Sequence, residues 1–170
     1  MSSPKPSRMT SPGYGLENAK SPPGERFPWQ RVEEVIVAAR NYWIGSTRPD
    51  GHPHAAPVWG VWLEAVLYFS TGKQSRKARN LSLNPSVSVH VEGPEREVVI
   101  VEGVAEEVSD ASVLRPAWDA YNKKYNWEIE GYPFYVVRPT VAFSFQEDLG
   151  DTATRWTFPA SLRLATRRQT

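Results

Sequence analysis

The stretch with most chemistry to offer is Ser70-Thr71-Gly72-Lys73-Gln74-Ser75-Arg76-Lys77-Ala78-Arg79-Asn80. It places hydroxyls, a glycine and the cations Lys73, Arg76, Lys77 and Arg79 within one short segment. The pattern predicts a strand end, a glycine turn, and a helix that begins near Ser75. Such a junction gathers hydroxyls, free backbone N–H groups and cations around one point. Helix N-termini and Arg or Lys side chains both favour phosphate. It is not a Walker loop, because Gly72-Lys73 is followed by Gln74 and not by Ser or Thr. A solvated basic helix face would carry the same composition.

A second candidate is His54-Ala55-Ala56-Pro57-Val58-Trp59-Gly60-Val61-Trp62. Small residues and a proline in mid-strand leave backbone uncovered and room for a flat ligand. Trp59 and Trp62 could wall that room, but strand parity sends them to opposite faces. A plain strand with core aromatics would look alike. His52 and His54 share parity but have no third ligand at metal spacing, so no metal is expected. There is no G-x-S-x-G elbow and no H-E-x-x-H. Glu106-Glu107 reads as a solvated strand end. No acid–base constellation emerges, so a redox cofactor would have to carry any reaction.

The elements that position these residues follow from periodicity. Trp29 to Arg40 has Val32, Val35, Ile36 and Ala39 at helical spacing, after a Pro28 suited to a helix start. Tyr42–Thr47 reads as a strand, Pro49-Asp50-Gly51 as a turn, and 54–62 as a second strand. Pro57 demotes that second strand to an edge or a bulged segment. Leu63-Glu64-Ala65 is a tight connection into a third strand at 66–71. A short helix at 75–83 precedes strands at 87–92 and 97–108, with Gly103 marking a bend. Asp110 caps a helix to about Tyr125, and strands follow at 140–146 and 154–158. The sum is six or seven antiparallel strands with two or three short helices, for which closure into a small barrel is economical.

Length, 170 residues, suits one domain. The absence of cysteine excludes disulfides, thiol nucleophiles and Cys-ligated metal. A net charge of +1 argues against a nucleic-acid partner. No apolar run suggests a membrane span or a secretory signal, so a cytoplasmic location is the default expectation. The charge is nonetheless segregated. No acid occurs from Ala65 to Val91, whereas the 92–130 stretch is acidic. Residues 1–28 are rich in Ser, Pro and Gly and poor in aliphatics, which predicts a mobile tail. The expected organisation is tail 1–28, a cofactor-binding domain 29–160 and a basic tail 161–170. The aromatic 121–135 stretch reads either as a lid or as packing.

The order of strand, Pro-Asp-Gly turn, Ala-Ala-Pro-Val-Trp, hairpin, Tyr-Phe-Ser-Thr-Gly, Ser-Arg-Lys-Ala-Arg-Asn-Leu and Asn-Pro resembles a known family. It is similar to the split-barrel flavin and deazaflavin oxidoreductases related to pyridoxamine-phosphate oxidase. The likeness spans about 29–158 and is most specific over 47–104. It resembles most the branch that uses the deazaflavin coenzyme F420, and Ala153-Thr154-Arg155-Trp156-Thr157-Phe158 resembles that branch too.

The resemblance implies a mainly β fold, a six-stranded antiparallel split barrel with a few short helices, acting as a homodimer. It implies that the Ala56, Pro57, Val58 and Trp59 backbone lies beside the cofactor ring. Ser70, Thr71, Gly72, Lys73, Ser75, Arg76 and Lys77 would surround the phosphate end. Trp156 would come from the partner subunit and cover the site. The implied reaction is hydride transfer from reduced F420 to a small conjugated or unsaturated substrate. FMN is the alternative cofactor, and a non-enzymatic flavin or tetrapyrrole binder is the alternative role. Leu162-Arg163-Leu164-Ala165-Thr166 lacks the proline of the ending that resembles the vitamin-phosphate site, which argues against pyridoxamine phosphate as substrate.

Overall fold

The computed structural model describes residues 3–10, 16–132, 134–147 and 149–160. In chain order the elements are β1 (Lys5–Arg8), α1 (Trp29–Ala38), β2 (Tyr42–Thr47), β3 (Pro53–Val58), β4 (Gly60–Leu63), β5 (Val66–Phe69) and α2 (Arg76–Leu83). Then come β6 (Ser86–Glu92), β7 (Val98–Val108), α3 (Ala111–Tyr125), β8 (Phe134–Phe145), α4 (Leu149–Thr152) and β9 (Thr154–Thr157). The class is the expected one, mainly antiparallel β with short helices. The described residues hold nine strands, because β1 was not foreseen and the expected strand 54–62 divides at Trp59. No described helix is long and apolar enough to cross a membrane.

The described residues fall into two compact units. The first takes its residues from 1–39, 90–102 and 139–170. Here β1 pairs antiparallel with β9, with Lys5 opposite Thr157, and β9 pairs with β8, with Val141 opposite Thr157. Helix α1 starts after Pro28 and buries Trp29, Val32, Val35 and Ile36, as its periodicity requires. Trp29 meets Phe158 edge-on at 5.2 Å and Trp156 at 5.4 Å. The expectation of a mobile tail over 1–28 fails for the described part. Phe27 and Leu16 are buried, and Asp151 accepts from the Lys20 N–H at 2.7 Å and pairs with Arg26 at 3.0 Å. Backbone pairing and one well-placed carboxylate supply what the composition lacks in aliphatic burial. The expected basic tail 161–170 lies outside the described residues.

The same unit contains a buried carboxylate. Glu97 is fully buried and takes Arg31 Nε at 2.8 Å and a terminal guanidinium nitrogen at 2.6 Å. Gly93 makes room for it, since a Cβ there would run into Glu97 Oε2. The Gly93 N–H donates to the Glu97 carbonyl at 2.8 Å, closing the β6–β7 turn.

The second unit spans 40–89 and 103–138. The β2–β3 hairpin has Tyr42 opposite Val58 and Thr47 opposite Pro53. Gly51, with φ +84°, takes the left-handed position that its turn demands. β3 is the terminal strand of its order, which suits a strand with two prolines. β4 and β5 form a hairpin through Glu64 and Ala65, both at positive φ, a mirror-image turn that usually carries Asn-Gly. β5 pairs in turn with β8, Leu67 opposite Val137. The core is an aromatic layer under α3: Leu114, Trp118, Tyr121 and Tyr125 pack with Val61, Ile129 and Phe134. Asp110 caps α3 through the Ser112 N–H at 2.8 Å, and left-handed Asn126 ends it.

Candidate anion and cofactor site

The site is assembled from the first turn of α2, the start of β3 and the β2–β3 turn, all within the second unit. Ser75 caps α2, accepting from the Ala78 N–H at 3.1 Å, and the Thr71 hydroxyl donates to Ser75 Oγ at 3.1 Å. A cap of this kind stabilises a helix by about 1 kcal/mol. The Ser75 N–H donates to the Gly72 carbonyl at 2.8 Å, which folds the chain back into the helix. Gly72 faces open space, with no atom near where a Cβ would stand.

Lys77 is the feature that most needs an explanation. It is 6 % exposed, yet it has no hydrogen-bond or ion-pair partner among the described residues. Burial lowers its pKa. A lysine whose stem is packed away and whose ammonium has no internal partner favours an anion at that position. Beside it, His54 has its pKa lowered first by burial and then by the charges of Lys77, Arg48 and Arg76. His54 Nδ1 and Arg48 Nε are both buried without a hydrogen-bond partner. The charges of Lys77, Arg48 and Arg76 thus all act on the His54 imidazole, and no acid is among the causes that shift Lys77 or His54.

The cluster is held by a polar chain invisible to periodicity. Asn80 Nδ2 donates to Ser46 Oγ at 3.0 Å, and the Ser46 hydroxyl donates to the His54 carbonyl at 3.4 Å. Both side chains are buried, so α2, β2 and β3 are fixed to one another around the cations. Ser46 and Arg48 were missed as site residues, and Asn80 and His54 lay at the ends of the two candidate stretches without an assigned role. The turn spacing that sets Arg48 six residues before His54 was the only available signal.

The expected residues divide. Ser75, Thr71, Arg76 and Lys77 gather at the α2 start. Ser70 immediately precedes this turn. Lys73 turns instead to Glu107, at 3.6 Å, in an exposed pair that is worth little. Ala56, Pro57 and Val58 lie on β3, with Pro57 and Ala55 exposed on one face. Trp59 falls at the β3–β4 break and stacks on Tyr125 at 4.7 Å and 2°. Arg40 also lies 5.5 Å from its ring centroid, so only part of that ring is left for a ligand. Trp62 is buried.

Trp156 belongs to the first unit, is 3 % exposed and donates its indole N–H to Ser144 Oγ at 2.8 Å. The covering role implied for it finds no support in that burial. Among the other tryptophans, Trp29 and Trp118 pack in cores, whereas Trp43 and Trp127 are exposed. Of the 121–135 aromatics, Tyr121, Tyr125, Phe134 and Tyr135 pack, and Trp127 and Tyr132 face solvent.

Among the described residues no group of three His, Asp or Glu is placed to hold a metal. The sequence profile of pyridoxamine 5'-phosphate oxidase matches residues 29–147. The chain belongs to that family. A comparison with curated proteins finds none that matches. Solved structures of the family's fold do match. General Stress Protein 26 from Bacillus anthracis is 24 % identical, with a TM-score of 0.57 over 68 % of this chain and 92 % of that one. An F420 reductase is 25 % identical, with a TM-score of 0.54 over 65 % and 94 %. The heme storage protein of Vibrio cholerae is 16 % identical, with a TM-score of 0.56 over 65 % and 88 %. The pyridoxamine 5'-phosphate oxidase family binds flavins or deazaflavins, and the basic α2 junction lies inside the matched segment.

Proposed function

We propose that the second unit binds the phosphate of a deazaflavin cofactor, coenzyme F420, and that the protein is an F420-dependent oxidoreductase. The observation that carries this reading is the buried, partnerless Lys77 at the capped start of α2. A phosphate there accepts from Lys77, Arg76 and the free N–H groups of the first helical turn. The Thr71–Ser75 hydroxyl pair orients the turn and adds donors. β3, as the terminal strand, offers the Ala56–Val58 backbone to the edge of a flat ring. When bound, reduced F420 supplies a hydride to a small conjugated or unsaturated acceptor. The chain's own side chains bind and orient; none is assigned proton transfer.

The proposed assembly is a homodimer in the cytoplasm. Trp43 is 52 % exposed on β2 and lies opposite the exposed Pro57 of β3, so this sheet face is apolar and uncovered in one chain. Titration with F420, FMN and riboflavin, followed by tryptophan fluorescence, tests the cofactor reading. Quenching by F420 and not by riboflavin is expected. FMN in place of F420 would move the assignment to an FMN-dependent enzyme of the same fold.

A further inference from the structure

One cation of the second unit has no part in the phosphate grip. Arg40 lies between α1 and β2, is exposed, and sets its guanidinium over the Trp59 ring, 5.5 Å from the centroid. No described residue accepts from its N–H groups, and no described carboxylate pairs with it. A cation–π contact uses the charge and leaves that planar fork of donors open to an oxyanion. The neighbouring cation on α3 is committed instead: Lys124 Nζ donates to the Tyr42 hydroxyl at 3.0 Å and to the Gly60 carbonyl at 3.3 Å. Trp59 is itself held in place. Tyr125 stacks on it at 4.7 Å and 2°, and Tyr121 lies 4.7 Å from Tyr125 in turn. The Tyr125 hydroxyl accepts from the Gly60 N–H at 2.9 Å and lies 2.8 Å from the carbonyl oxygens of both Arg40 and Gly60. One side chain thus ties the β3–β4 corner to the chain entering β2. Trp59 is half-buried, so part of the indole stays open beside the guanidinium.

We infer that Trp59 and Arg40 form the subsite for the acceptor, and that it takes a planar conjugated acid: the flat part lies against the indole and the carboxylate enters the guanidinium fork. This rests on the oxidoreductase reading and narrows its acceptor from conjugated molecules in general to those that carry an anionic group. Trp59 directly follows the Ala56–Val58 strand proposed for the cofactor ring, so the subsite adjoins that edge. Tyr125 is a positioning residue, acting through Trp59. A neutral planar molecule gains the stack alone and a non-planar acid gains the charge alone, so the subsite selects for molecules that offer both.

The test uses the full chain and three probes followed by ligand-detected NMR titration: trans-cinnamate, its methyl ester and cyclohexanecarboxylate. Cinnamate is expected to bind the unmodified protein about tenfold more tightly than the ester, the scale of one charge-assisted bond, and more tightly than the non-planar acid. Arg40→Gln is expected to erase the difference between cinnamate and ester, and Arg40→Lys to restore part of it. Both variants keep the contact with Tyr125, which uses the Arg40 backbone carbonyl. Tyr125→Leu is expected to weaken cinnamate and ester alike. Equal binding of acid and ester to the unmodified chain would overturn the inference, and so would an acid preference that survives Arg40→Gln, which would place the carboxylate on another cation. F420 affinity is expected to stay within about twofold in Arg40→Gln. A larger loss would put Arg40 on the cofactor and overturn the acceptor assignment. An unmodified chain that prefers cinnamate but does not bind F420 would overturn the oxidoreductase reading and leave the subsite standing. One that binds F420 without the acid preference would do the reverse.

Discussion

Burial, and after it the charge of Lys77 on α2, lowers the proton affinity of His54 on β3, and neither His54 Nδ1 nor Lys77 has a hydrogen-bond partner among the described residues. Polar nitrogen buried without a partner, as at His54 Nδ1 and Arg48 Nε, costs free energy. An anionic ligand removes the cost, so binding and stability are linked at this site.

Replacing Arg76 and Lys77 together by Ala is expected to weaken cofactor binding by about 2–4 kcal/mol, the sum of two charge-assisted bonds. Calorimetry checks it. Unchanged affinity would put the phosphate elsewhere.

Lys77→Met is expected to raise the Tm of the ligand-free protein while reducing ligand affinity. The side chain keeps its apolar length and loses the desolvated charge. For a chain of this size each kcal/mol relieved moves Tm by about 2–4 °C. A lowered Tm, measured by calorimetry without ligand, would mean that Lys77 has an intramolecular partner.

Ser75, Asp110, Pro28 and Gly51 were legible because caps and turns are local chemistry. β2 agreed at both ends because its alternation is regular. The β3–β4 break was not legible, since Trp59 continues the apolar pattern and only the change of pairing partner ends the strand there. β1 was hidden because an edge strand of Lys, Pro, Ser and Arg is held by backbone bonds and buries little. In the site, the Ser70–Lys77 run was legible as a cation cluster. The Arg48–His54 half was not, because those residues meet across a hairpin and their signal is an unsatisfied atom.

Gly93→Ala is expected to destabilise the first unit. The added methyl meets the buried Glu97 carboxylate and displaces it from Arg31. Overpacking of this kind costs about 1–3 kcal/mol. Denaturant unfolding reads the loss, and an unchanged midpoint would mean that the β6–β7 turn shifts freely.

Stability is expected to rise between about pH 8 and pH 10. Burial lowers Lys124 to about 8, against an ordinary 10.5. Below pH 8 it is charged in both states and the folded state bears the desolvation. Between 8 and 10.5 the folded state sheds the proton first, so the unfolded state binds more protons and stability climbs. Above pH 10, Tyr42 and Tyr121, whose pKa values are raised by burial, work in the opposite sense. Lys124→Met is expected to shrink the rise, leaving the part due to Lys77. An undiminished slope in that variant would detach it from Lys124.

Trp43→Glu is expected to convert the proposed dimer to monomer, because it sets a charge on the apolar β2–β3 face. Light scattering reads the mass directly. An unmodified chain that is monomeric at working concentration would contradict the dimer.

The most direct test of the central claim is titration of the unmodified protein with F420 and with riboflavin, which lacks a phosphate, followed by tryptophan fluorescence. Saturable quenching by F420 at micromolar concentration, and none by riboflavin, is the predicted result. Equal quenching by both, or none by F420, would contradict the account of Lys77 and α2 as a phosphate grip.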